Sequence, residues 1–180
     1  MMSKRNSVPL LVPLLLAGLL SACASSQPAP ASYDPEREAR IRVFHGPSAY
    51  IYLGNVCDGN GPQVIHAAAG GFSFAVRNRR IGMPVADDTP WSFNEYAVPA
   101  GEPLTVKMYW QAQGHSGVWT HCGPIHVMFI PEAGHDYEAF MKFRGGLCQG
   151  VEIRKLVVDA DGNIETAFAP LNSPPFYRCQ

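Results

Sequence analysis

The chain has 180 residues and a formal net charge of −1, enough for one domain and a short additional segment. Fourteen Lys and Arg against fifteen Asp and Glu leave no basic footprint of the kind a nucleic-acid binder needs. An apolar share of 47% against 16% charged excludes a wholly disordered chain, and 16 Pro with 17 Gly point to many turns rather than a helical bundle.

Residues 1–22 have the order of a secretory signal: Lys4 and Arg5, then an apolar run over residues 8–20 broken by Pro9 and Pro13, then small residues. The run is too short to span a bilayer, which takes about 20 apolar residues. Leu20-Ser21-Ala22-Cys23 resembles the lipobox of bacterial lipoproteins. The resemblance implies a diacylglyceryl group on the Cys23 sulfur, cleavage between Ala22 and Cys23, and acylation of the new amine. With Ala24 rather than Asp after the cysteine, it also implies an outer-membrane lipoprotein anchored by its acyl chains and facing the periplasm. Losing residues 1–22 removes two cations and no acid, which takes the net charge from −1 to −3. A mildly acidic chain does not seek anionic lipid by its overall charge, so the acyl chains would hold it. Residues 23–38 then read as the lipidated cysteine and a flexible tether rich in Ala, Ser and Pro, able to reach roughly 50 Å when extended.

The domain, residues 39–180, carries strand signals. Pro35 and Glu36 after Ser32 suit the first turn of a short helix over 34–40. Ile41 and Val43, then Ile51 and Leu53, mark two short strands, and Phe72, Phe74 and Val76 another. Leu104, Val106, Met108 and Trp110 alternate with Thr105, Lys107, Tyr109 and Gln111, the period of a half-buried strand. Ile125, Val127 and Phe129 follow. Tyr137, Ala139, Met141 and Phe143 alternate with polar residues, except that Phe140 breaks the polar face. Residues 151–158 and 164–168 flank Asp159-Ala160-Asp161-Gly162-Asn163 as a hairpin. The expectation is an all-β fold, a single antiparallel β-sandwich of about eight or nine strands. Val98-Pro99-Ala100-Gly101 and Ile130-Pro131-Glu132-Ala133-Gly134 echo each other as two hairpin-type corners.

Beyond Cys23 stand Cys57, Cys122, Cys148 and Cys179, an even set that suggests two disulfides in an exported chain, with three pairings possible. If residues 125–130 and 137–143 form a hairpin, Cys122 and Cys148 fall near register. That favours Cys122–Cys148 and leaves Cys57–Cys179 to tie the tail back.

Pro99-Ala100-Gly101 before an alternating strand, then Cys122, Phe129-Ile130-Pro131-Glu132-Ala133-Gly134, Tyr137 and Cys148, resembles a group of small bacterial lipoproteins with transthyretin-like or PEGA-like β-sandwich domains. The likeness covers about a third of the chain, rests on turn residues and cysteines, and implies a fold without an activity.

Chemistry-bearing patterns are sparse. His115, His121 and His126 surround Cys122, but a zinc site needs four converging ligands, and the odd separation of His121 and His126 points them to opposite faces of a regular strand. Asp159, Asp161 and Asn163 start like a calcium loop, which then fails at Ile164 and Pro170. There is no G-x-S-x-G elbow, and Gly70-Gly71 lacks the following Lys of a phosphate loop. Asp87-Asp88 reads as solvated surface. Arg77, Arg79 and Arg80 form a basic cluster suited to an acidic partner or lipid headgroups, and no mechanism attaches to the segment from Arg79 to Pro84. Trp91, Trp110, Trp119, Tyr50 and Tyr52 are candidates for an aromatic platform, Trp91 the best placed for exposure and Trp110 on the core parity. The expectation is a non-enzymatic envelope module that needs no cofactor and binds an envelope protein or cell-wall material. The alternatives are a periplasmic metal-binding protein using His115, His121 and His126, and an envelope hydrolase.

Overall fold

The computed structural model describes residues 32–56, 63–68, 78–86, 89–90, 92–113 and 117–169. Cys23, Cys57, Cys179, His115, Trp91 and the strand expected at Phe72, Phe74 and Val76 lie outside the described residues. Among those residues there is no helix, and nine strands follow one another: β1 (Glu38–Phe44), β2 (Ser48–Leu53), β3 (Gln63–Ala68), β4 (Phe93–Pro99), β5 (Leu104–Gln113), β6 (Trp119–Phe129), β7 (Asp136–Arg144), β8 (Leu147–Val158) and β9 (Ile164–Phe168). They make a β-sandwich of two sheets, β4-β1-β7-β8-β9 and β3-β2-β5-β6.

The alternating residues meet between the sheets. Ile41, Val43, Ala139 and Ile153 from one sheet pack against Ile51, Leu104, Val106, Met108 and Phe129 from the other, all of them buried. Each large aliphatic side chain so buried stabilises by about 1.5–3 kcal/mol relative to exposure. The β4 segment shows no clean alternation because both of its faces are covered: Phe93 and Glu95 are as buried as Tyr96 and Val98.

Four sequence expectations change. The segment after Ser32 makes one turn, with the Arg37 and Glu38 amides bonded to the Asp34 carbonyl, and then enters β1 rather than a helix. The sandwich is not wholly antiparallel, since β1 lies beside β7 in parallel register, Ile41 opposite Tyr137. The two echoing corners are not hairpins. Each carries the chain from one sheet to the other, β4 to β5 and β6 to β7, and they touch, the Gly101 amide bonding the Pro131 carbonyl at 2.8 Å. Because β6 and β7 belong to different sheets, the register that favoured Cys122–Cys148 does not exist. The bond forms all the same, as a link between the sheets from β6 to β8 with Cα atoms 5.7 Å apart.

Finally, β6 is bulged. Met108 faces Ile125 while Trp110 faces Cys122, so β6 spends one more residue than β5 at Gly123-Pro124. Gly123 has φ +97°, and a Cβ there would stand 2.6 Å from the Met108 carbonyl oxygen, so only glycine fits. The extra residue reverses the parity argument: His121 opposite Gln111 and His126 opposite Lys107 share one face.

Candidate functional site

The outward positions of β4, β1, β7 and β8 form a cross-strand row: Glu95, Arg42, Glu138 and Arg154. In an uncovered sheet such a row is solvated. Here the segment 78–86 lies across it, and Arg42 is wholly buried. Its guanidinium donates to Glu95 Oε1 from Nη2 at 2.8 Å, to Glu138 Oε1 from Nη1 at 2.8 Å, and to the Pro84 carbonyl from Nη2 at 2.7 Å. The second Glu95 oxygen accepts the Ile81 amide at 2.6 Å. One row below, Arg40 forks onto Asp136 at 2.6 and 2.8 Å and donates to the Gly82 carbonyl at 2.9 Å. The stretch from Arg79 to Pro84 thus acts as a strap that supplies backbone partners to a buried ion network. Burial makes this pairing obligatory, because a charge stripped of water needs compensating partners. Arg79 and Arg80, read as a basic cluster, stack over the rings of Tyr96 and Phe93.

Beside this network lies a cavity of about 580 Å³. Its walls include Phe44, Phe140, Phe143, Trp110, Leu156 and Ile164, with Glu138, Arg154 and His45 among them. The volume falls in the range of small-molecule sites. Phe140, which interrupts the polar side of β7, is explained here: it packs edge-on against Phe44 at 6.3 Å and lies under the Arg154 guanidinium at 4.4 Å. Arg154 Nε donates to Glu152 Oε1 at 2.7 Å. Burial would raise the Glu152 carboxyl, but hydrogen bonds from Lys142 and Arg154 outweigh it and hold it below the usual carboxylate range. Both ring nitrogens of His45 are buried with no hydrogen-bond partner among the described residues. Burial lowers its pKa, against a smaller opposing effect of Asn94, so the ring is neutral at pH 7.

Arg42, Glu95, Glu138, Arg154 and His45 did not stand out in the sequence. Charged residues at alternate strand positions read as a wet face, and Phe140 was the one discordant signal. Of the histidines expected near a metal, His121 is exposed, and His126 is half-buried with Nε2 unpartnered among the described residues. Burial, and then the Lys107 charge, lower the His126 pKa. Their β5 partners are four residues apart, about 13 Å along a strand, too far for one ion to bind both without rearrangement. Among the described residues no three His, Cys, Asp or Glu side chains gather as a metal site. The Asp159 turn closes the β8–β9 hairpin, its Oδ1 accepting the Asp161 and Asn163 amides at 2.9 and 2.8 Å. Of the aromatic platform, Tyr50 stacks on His66 at 4.7 Å, Tyr52 is buried, Trp110 packs on Phe143 at 5.2 Å, and Trp119 is exposed. No family model, curated protein or solved structure matches the chain.

Proposed function

We propose that the protein is a non-enzymatic binding module of a bacterial cell envelope, exported by residues 1–22, acylated at Cys23 and held at the outer membrane facing the periplasm. The sequence Leu20-Ser21-Ala22-Cys23 after a charged start and apolar run supports the anchor. The observation that carries the binding role is the aromatic-walled cavity. Its charged side chains already have partners in the protein, Glu138 in Arg42 and Arg154 in Glu152. Groups committed to each other in this way build a rigid wall and are poorly placed to shuttle protons. Phe44, Phe140, Phe143 and Trp110 stand in the lining beside Thr89, Thr166 and Arg154, which suits a small ligand with an aromatic part and hydrogen-bonding groups.

Two measurements test this. The intact mass of membrane-extracted protein should correspond to a chain beginning at Cys23 plus acyl groups; a chain that begins elsewhere removes the anchor. Titration with N-phenyl-1-naphthylamine, a neutral aromatic probe, should give saturable fluorescence that Ile164→Trp, which narrows the cavity, abolishes. Unsaturable fluorescence, or binding indifferent to that substitution, removes the binding site.

A further inference from the structure

The two ends of the sandwich differ in charge. β1 and β7 run in parallel from the end where the chain enters at Glu38. At that end stand Asp34, Glu36, Glu102, Glu132, Asp159 and Asp161, with Arg37 and Lys155 already paired to Asp34 and Glu132. At the other end are the tips of the β5–β6 and β7–β8 hairpins, tied together by Cys122–Cys148. Neither hairpin has an acid near its tip: residues 104–129 and 139–151 contain no Asp or Glu. They carry Lys107, Lys142 and Arg144, and among the described residues only Lys142 is paired with a carboxylate, Glu152.

The same tips expose large apolar side chains. Trp119 is 59% exposed, Val118 64%, Phe143 41%, and Leu147 69% just beyond the Gly145-Gly146 turn. Tryptophan and leucine beside arginine, with no carboxylate, is the composition that settles at a bilayer interface, the rings at headgroup depth and the cations on lipid phosphates. An anionic surface disfavours carboxylates where it is approached, and none occurs in residues 104–129 or 139–151, the stretches that include both tips. We infer that this disulfide-tied pair of hairpin tips docks on a bilayer bearing anionic headgroups, with Trp119 and Leu147 entering the interface and Arg144 on the phosphates.

The acidic end is repelled by the same surface, so the domain stands tip-down. This rests on the proposed anchor at Cys23 for its geometry. The nine residues of β7 span about 30 Å. With Asp34 to Glu38 held in the turn and β1, the ten residues 24–33 reach roughly 33 Å when extended, enough for the domain to invert onto the membrane that holds its acyl chains.

The test reconstitutes the full acylated chain in vesicles of brominated phosphatidylcholine, with and without phosphatidylglycerol, and reads tryptophan quenching. Quenching is expected with phosphatidylglycerol and lost in Trp119→Phe. Leu147→Ser should weaken it, and Arg144→Gln should shift the docked-to-undocked ratio by about fivefold, the effect of one surface cation. Thermal melting of each variant at the wild-type temperature establishes that the fold is intact. Absent quenching in anionic vesicles, quenching that survives Trp119→Phe, or indifference to Arg144→Gln overturns the inference, and so does tip burial that depends on protein concentration, which marks a second copy instead. Vesicle flotation and intact mass report the anchor separately: a chain that floats unquenched overturns tip docking alone. A chain without acyl mass overturns the anchor, and tip docking is then read from co-sedimentation with the same vesicles.

Discussion

Removing the Arg42 guanidinium should be among the most damaging single changes to this fold. Arg42→Met keeps much of the side-chain volume but deletes the donors to Glu95, Glu138 and the Pro84 carbonyl. Two carboxylates, one 1% and the other 8% exposed, are then left on one covered sheet face without their shared cation. Taking one partner from a buried pair costs about 3–5 kcal/mol, mostly the cost of the charge left behind. At roughly 2–4 °C per kcal/mol for a domain of this size, the melting temperature should fall by about 6–20 °C. The triple variant Arg42→Met, Glu95→Gln, Glu138→Gln removes the stranded charges and should recover at least half of that loss. Circular dichroism melts and urea titrations of the three proteins decide it. A loss below about 1 kcal/mol in the single variant, or no recovery in the triple, would show that segment 78–86 does not seal this network from water.

Other outcomes follow from the same geometry. Gly123→Ala should destabilise by more than about 1 kcal/mol, because it sets a Cβ against the Met108 carbonyl at positive φ; an unchanged urea midpoint would refute the close approach. Cys122→Ser with Cys148→Ser should cost about 3.5 kcal/mol for a 26-residue separation in the chain-entropy model, read as the shift in denaturation midpoint; a shift much below 1 kcal/mol would count against the link. His45 and His126 both have pKa values lowered by burial, so the unfolded chain takes up protons first. Their stabilising contribution is complete above about pH 6.5 and lost as pH falls toward their folded pKa values. Urea midpoints between pH 7.5 and 5 should decline accordingly, and His45→Gln should flatten part of that slope; a parallel decline in the variant excludes His45 as a source.

What could be read from the chain and what could not divide along one physical line. Period-two alternation in β5, β6 and β7 exposed the strands and the all-β class, because a half-buried strand writes its burial into every second residue. Asp159 and Gly162 likewise marked the β8–β9 turn, whose hydrogen bonds are local. β4 escaped notice because it is covered on both sides. The pairing of Cys122 with Cys148 was reached through a hairpin that does not exist. Corner residues such as Pro99, Gly101, Pro131 and Gly134 specify a bend without stating whether the next strand joins the same sheet.

The resemblance of Leu20-Ser21-Ala22-Cys23 to a lipobox is equally local, a linear pattern that needs no fold to be legible. The parity of His121 and His126 turned on one inserted residue at Gly123-Pro124. The candidate site depended on a longer-range event still. Arg42, Glu95 and Glu138 are ordinary outward-facing charges until segment 78–86 is laid over them. Residue order therefore determined strand periodicity and turns. Only the tertiary structure decided which sheet each strand joined and which charges lost their water, because those depend on what a distant segment covers.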